Sequence, residues 1–221
     1  MKTYKLKRFL LDIVYPNKCP FCNEGIASNQ YYCPACPGSL AMLEEDCEPL
    51  ESITETVAVF EYSDSTSKFV YSIKDGGNGY AISAATKLLY EKMGGKSGNL
   101  SQSIDLIICV PTDSGRMRER GYNPPALIAK EIARMTGIPC KPKLLIKTRQ
   151  TEVQKSLSAV ERKENLKGVF ALRKGKTCPQ NVLLVDDVRT TGATLSEAAK
   201  VLQSAGAENV YAAVVAVVSK A

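Results

Sequence analysis

The chain has 221 residues, 44% hydrophobic and 24% charged, with a formal net charge of +6 and no histidine. That length holds one sizeable core plus a small appendage, and the balance is that of an ordinary globular protein. The lack of histidine excludes imidazole acid/base catalysis, His–Cys dyads and histidine-bearing metal sites, leaving proton transfer to carboxylates, Tyr, Lys, Cys or the substrate.

The opening stretch, "MKTYKLKRFLLDIVYP", is basic and then apolar. It has no small-residue cleavage site and Asp12 interrupts its apolar part, so it does not read as a signal peptide. No apolar run reaches the roughly 18 residues of a membrane helix. The expected location is therefore cytoplasmic, where eight cysteines are not expected to form disulfides. Residues 1–15 fit a short amphipathic helix with Leu6, Phe9, Leu10, Ile13 and Val14 on one side. In "CPFCNEGIASNQYYCPAC", Cys19 and Cys22, then Cys33 and Cys36, form two CxxC knuckles. Each knuckle presents two sulfurs at one turn, the spacing of a tetrahedral, structural zinc ribbon. Four thiolates close the coordination shell, and so small a ribbon would draw its folding energy from the metal. Redox thiols and an iron–sulfur cluster are the competing readings. The acidic stretch 40–52 marks the boundary, giving a ribbon of residues 1–50 and a second domain of 51–221.

Beyond it, "TVAVFEYS" alternates as a strand, "STSKFVYSIKDGG" and "YAISAATKLLYEKMGG" read as helices, and "KSGNLSQS" as a polar loop. "GGKSG" is not a Walker A loop, because Tyr90 stands where its first glycine is required and a helix precedes it. From residue 104 a new pattern begins. "IDLIICVP", "KPKLLIKTR", "GVFALR", "NVLLVDDV" and "NVYAAVVAVVS" read as strands. "PPALIAKEIARMTG" and "TLSEAAKVLQSAG" read as helices. Apolar strands alternating with helices predict an α/β fold, a mostly parallel sheet covered on both faces. Residues 111–170 carry 13 Lys and Arg against 6 Asp and Glu, whereas residues 44–64 carry eight acids and no base. The basic middle suits a phosphate ester or nucleic acid, or is simply a solvated face.

The chemistry concentrates in "LLVDDVRTTGATL", residues 183–195. In open parallel sheets ligands gather at the carboxyl ends of strands. Asp186 and Asp187 sit at such an end, and the following helix points free amides and its positive dipole end into the turn. Gly192 admits close backbone approach, and the threonines add hydroxyl donors. Two carboxylates beside a phosphate cup describe a ribose 5-phosphate, with the cup on the phosphate and the acids on the 2- and 3-hydroxyls or on Mg²⁺. Two Asp capping a helix is the bland alternative.

"VLLVDDVRTTGATL" resembles the phosphoribosyl pyrophosphate (PRPP) motif of type I phosphoribosyltransferases. With "VPTDSGRMRERGYN", "TRQTEVQKSLSAVERKEN" and the double CxxC, the chain is similar to the ComF family of competence-associated proteins, a zinc ribbon joined to such a domain. The resemblance implies a type I phosphoribosyltransferase fold. It implies PRPP binding by Asp186, Asp187, Thr190, Thr191, Gly192, Ala193 and Thr194, with the two aspartates as the catalytic pair and Mg²⁺ as cofactor. It also implies a pyrophosphate loop marked by Arg116, Arg120, Gly121 and Asn123, and a lysine after a short helix, Lys74. A closing loop runs from Gln150 to Asn165, marked by Gln154, Ser156, Arg162 and Asn165. Cys19, Cys22, Cys33 and Cys36 would hold Zn²⁺. Three features depart from the family pattern: Pro124-Pro125 in place of Gln-Ala, Asp113 and Ser114 where apolar or basic residues are usual, and one cysteine group where some relatives carry two. Cys47, Cys109, Cys140 and Cys178 fall outside that group, Cys109 reading as core and Cys47 as a remnant ligand.

Two functions follow. One is a Mg²⁺-dependent phosphoribosyltransferase whose acceptor pocket would be the hood of residues 50–100 with the ribbon. The other is a non-catalytic PRPP-fold module that binds single-stranded DNA during transformation, alongside a competence helicase or DNA-processing proteins, with Tyr122 as a base-stacking residue.

Overall fold

A computed structural model describes residues 17–27, 29–36, 40, 42–43, 47–74, 78–95, 98–149 and 165–218. The helix expected at 1–15 lies outside them. Four parallel strands, β1 (Glu55–Glu61), β2 (Leu106–Cys109), β5 (Asn181–Arg189) and β6 (Asn209–Val217), form one sheet in the order β1-β6-β5-β2. The β1 burial pattern is continuous from Val57 to Phe60 rather than alternating, because both faces of the sheet are covered.

One face packs helices α1 (Asp64–Lys74), α2 (Gly79–Lys92) and α5 (Pro124–Thr136) through Phe69, Ile73, Ala85, Leu89, Ile128 and Ile132. The other packs α6 (Ala193–Ser204) through Leu195, Ala198, Ala199 and Leu202. Local signals set the ends. Asn78 caps α2 by accepting from the Tyr80 and Ala81 amides. Pro124-Pro125 occupy the first turn of α5, where a missing N–H costs nothing.

Three stretches differ from the sequence reading. "KSGNLSQS" contains a short helix, α3 (Asn99–Ser103). The stretch read as the pyrophosphate loop holds a seven-residue helix, α4 (Ser114–Arg120), closed by Gly121 at φ 76. Strands β3 (Leu145–Lys147) and β4 (Phe170–Leu172) pair antiparallel with each other outside the main sheet. Their three residues bury Leu145 and Phe170 against the α6 face.

The ribbon docks on the helix-rich face. Phe21, inside the first CxxC knuckle, lies 4.3 Å centroid to centroid from Phe69 of α1 and 6.1 Å from Phe60 of β1. The Tyr32 hydroxyl donates to Glu91 of α2 at 2.9 Å. The linker runs along the β1 edge, where Met42 bridges Phe60 and the Leu43 amide donates to Val59. That edge is thereby covered against pairing with another chain. Replacing Phe21 with Ala is expected to cost about 2 kcal/mol, below the usual core Phe→Ala loss because the ring is only half-buried. A denaturant-midpoint measurement against Phe21→Leu, which should lose less, checks it.

Candidate functional site

The site lies where β5 hands over to α6. The last turn of β5 brings up Asp186, buried at 9% exposure, and Asp187, half-buried. The Asp186 carboxylate accepts the Asp187 amide at 2.9 Å, and the Asp187 carboxylate accepts the Val188 amide at 2.7 Å. Lys74, the last residue of α1, reaches Asp187 at 3.5 Å. Burial, then the neighbouring Asp187 charge, pushes the Asp186 carboxyl up to about 8 against the pull of Lys74 and Lys147.

Thr190 is exposed, Thr191, Ala193 and Thr194 are half-buried, and Gly192 is buried at φ 79. Gly192 caps α6 without any side-chain hydrogen bond, and the Ala193 amide has only a long contact, 3.4 Å, to the Thr191 hydroxyl. The first turn of α6 thus keeps amides for an anion. Glycine is required at 192 twice over. Its φ is left-handed, and an added Cβ would lie 2.3 Å from Leu50 Cδ2, which rests on this corner.

The "RERGYN" stretch is a clamp rather than a charged face. The Asn123 side-chain amide donates to the Val110 carbonyl at 3.1 Å, and its oxygen accepts from the Thr112 hydroxyl at 2.8 Å. Tyr122, expected to stack on a base, also has a structural contact. Its ring is half-buried and its hydroxyl is directed at the Ile73 and Lys74 carbonyls, 3.0 and 2.9 Å away, tying this loop to the end of α1. Arg116 is exposed on α4, and Arg120 is half-buried in its last turn. Asp113 pairs with Lys147 of β3 at 2.7 Å, both side chains largely buried, which gives that departure a structural partner. Arg149 donates to the Asn165 and Lys167 carbonyls at 3.1 Å, closing the base of the segment expected to cover PRPP. Gln154, Ser156 and Arg162 lie outside the described residues.

Beside this loop is a cavity of about 780 Å³. Met117, Leu127 and Ile146 supply apolar lining, and Lys130, Lys143 and Arg173 supply charge; none of residues 186–194 lines it. Cys109 is fully buried, and burial pushes its thiol up to about 12, so it belongs to the core.

The four ribbon sulfurs lie within 4.8 Å of one another, and Cys22 Sγ is 3.7 Å from Cys33 Sγ. A tetrahedron with Zn–S bonds of about 2.3 Å sets sulfurs about 3.8 Å apart, so these residues fit zinc. The Cys33 amide donates to Cys19 Sγ at 3.4 Å. Burial opposes Cys19 ionisation, but amide hydrogen bonds outweigh it and bring the thiol to about 7, while burial and the neighbouring thiols push Cys36 up.

Sequence reasoning missed Arg189, buried at 5% exposure between the aspartates and the threonines. It also missed Leu50 and the roles of Tyr122 and Asp113. A charged residue at a strand end reads as solvated, and no sequence pattern signals otherwise.

Family models match residues 10–50 as a double zinc ribbon domain and residues 125–220 as a phosphoribosyl transferase domain. Competence protein F of Haemophilus influenzae is 30% identical over 194 residues, 86% of this chain and 82% of the relative. DNA utilization protein YhgH of Salmonella typhimurium is 30% identical over 198 residues, 87% and 86% of the two chains. Competence protein ComFC of Streptococcus pneumoniae is 46% identical over 41 residues, 19% of each. Among solved structures, the allosteric regulatory enzyme of purine biosynthesis is 24% identical over 60% of this chain and 25% of its own, with a TM-score of 0.39. No helix among the described residues is long and apolar enough to cross a membrane.

The raised Asp186 carboxyl makes stability depend on pH. It ionises near 3.9 when unfolded and near 8 when folded, so the folded chain binds the proton more tightly. Its contribution is fully present below about pH 4 and lost as pH rises toward 8. Asp186→Asn should therefore melt above the parent chain at pH 8, with the gap narrowing toward pH 4 in thermal melts.

Proposed function

The chain belongs to the family of competence protein F, and from that footing we propose that it binds PRPP with Mg²⁺ at the β5–α6 corner as a phosphoribosyltransferase-like protein of DNA uptake. The observation that carries this reading is the uncapped first turn of α6 directly after two adjacent carboxylates, one of them held by Lys74. In this reading the amides and hydroxyls of Thr190, Thr191, Gly192, Ala193 and Thr194 hold the 5-phosphate. Asp186 and Asp187 accept hydrogen bonds from the ribose 2- and 3-hydroxyls. Lys74, Arg116 and Arg120 face the pyrophosphate, and Arg162 closes over it. The aspartates are also the residues that would hold Mg²⁺, which would supply charge neutralisation for the departing pyrophosphate. The buried carboxyl of Asp186 suits a cation, since ionisation then costs less.

Turnover would break the C1–O bond of PRPP, the electron pair leaving with pyrophosphate, as an acceptor lone pair forms the new bond at C1. The transition state is oxocarbenium-like, so cationic side chains on the leaving group and exclusion of water matter more than a general base. A chain without histidine can do this. Zn²⁺ would be held by Cys19, Cys22, Cys33 and Cys36 as a structural ion, and the knuckle of Cys19 and Cys22 carries Phe21, which packs on α1, the helix that ends in Lys74. The proposed parts are 1–50 for the ribbon and 51–221 for the ligand domain.

Calorimetry with PRPP should give binding that requires Mg²⁺, and the Asp186→Asn/Asp187→Asn double variant should lose at least tenfold in affinity. Equal affinity in that variant would remove the site assignment. Pyrophosphate release with a panel of nucleobases and amines then separates a transferase from a non-catalytic module.

A second reading, binding of single-stranded DNA, is favoured by the cavity beside Tyr122, where Lys130, Lys143, Arg149 and Arg173 surround apolar side chains. Such binding should weaken steeply with salt, and Lys143→Ala with Arg173→Ala should lower the slope of log K against log salt by about 1–2. Anisotropy titrations of a labelled oligonucleotide at several salt concentrations measure this.

A further inference from the structure

Arg189 is the last residue of β5, 5% exposed, and two of its three guanidinium nitrogens, Nε and Nη1, are buried with no hydrogen-bond partner among the described residues. Neither carboxylate of the strand end pairs with it among the described residues, Asp187 being held by Lys74. A buried carboxyl can escape its cost by taking a proton, but a guanidinium cannot lose one. Two orphan donors on a fixed positive charge call for an oxyanion.

The register says where that charge sits. Arg189 pairs with Val217, and Asp186 with Val214, across the parallel β5–β6 ladder. Paired residues of neighbouring strands share a face of the sheet. Val214 and Val217 belong to the cluster that packs α6 through Leu195 and Ala198. Arg189 therefore lies on the α6 side of the sheet, at its carboxyl edge, three residues before Gly192, the N-cap of α6. Leu50, which rests on Gly192, packs against the same cluster.

We infer that Arg189 is a phosphate-binding residue: an unpartnered N–H of its buried guanidinium donates to the 5-phosphoryl group of a pentose phosphate seated on the first turn of α6. This rests on the sugar-phosphate reading of the corner and goes beyond it by naming a buried cation that selects a phosphomonoester over an unphosphorylated pentose. A fixed positive charge with unmet N–H donors suits an oxygen of a tetrahedral anion, and the helix amides take others.

The test separates binding from structure by the sign of its effects. Zinc-loaded full-length chain is melted and titrated at constant ionic strength with inorganic phosphate, ribose 5-phosphate, ribose, PRPP and magnesium pyrophosphate. For Arg189→Leu the ligand-free melting temperature should equal or exceed that of the parent, because an uncompensated buried charge is gone. Its affinity for ribose 5-phosphate should fall at least tenfold, and magnesium pyrophosphate binding should stay within twofold. Arg189→Lys should recover part of the loss. Ribose 5-phosphate affinity within twofold of the parent in Arg189→Leu would overturn the inference while leaving PRPP binding intact. Should Arg189→Leu not fold, the parent decides: a melting temperature no higher in phosphate than in chloride also overturns it. Phosphate and ribose 5-phosphate binding that depends on Arg189, without PRPP binding, would keep the inference and reject the proposed function.

Discussion

The structure turns on an acid and a base buried at one strand end without each other. Asp186 and Arg189 lie three residues apart at the end of β5, yet no ion pair joins them among the described residues. Asp186 meets its burial by holding a proton to higher pH, a route closed to Arg189. Burying such groups costs several kcal/mol each unless they are paired. The fold tolerates this because the surrounding core is large and continuous: Leu183, Leu184, Val185, Val214 and Val215 are all fully buried.

Helix α1 links this corner to the rest of the molecule. Phe21 of the ribbon stacks on Phe69 in its middle, and Tyr122 of the α4–α5 turn bonds the carbonyls at its end. Lys74, which reaches Asp187, is carried between these supports. A shift in the knuckle or in the "RERGYN" turn therefore moves the cation beside the carboxylates, although neither touches the β5–α6 loop. The ribbon thus braces α1 through packing.

Much of the fold is legible in the sequence. The apolar runs 182–185 and 210–217 give buried strands, the glycines at 137 and 206 stop helices, and the CxxC pair predicts a cluster that forms at metal-ligand spacing. The parts that were not legible share a cause. Helix α4 buries none of its residues, so it leaves no hydrophobic period to read. Strands β3 and β4 are three residues long, and direction of pairing is not written in so short a pattern. Tyr122 and Asp113 take their roles from partners 48 and 34 residues away, which local pattern cannot supply. Arg189 sits inside the most recognisable motif of the chain and still passes unnoticed, because a motif gives spacing and says nothing of burial.

The β3–β4 hairpin completes the logic. Asp113 binds Lys147 on β3, and Arg149 binds the chain again at Asn165 and Lys167. These contacts fix both stems of the segment that the family resemblance assigns to closure, and they anchor it to the loop expected to hold pyrophosphate. Lys147 also acts on Asp186, lowering the cost of its ionisation.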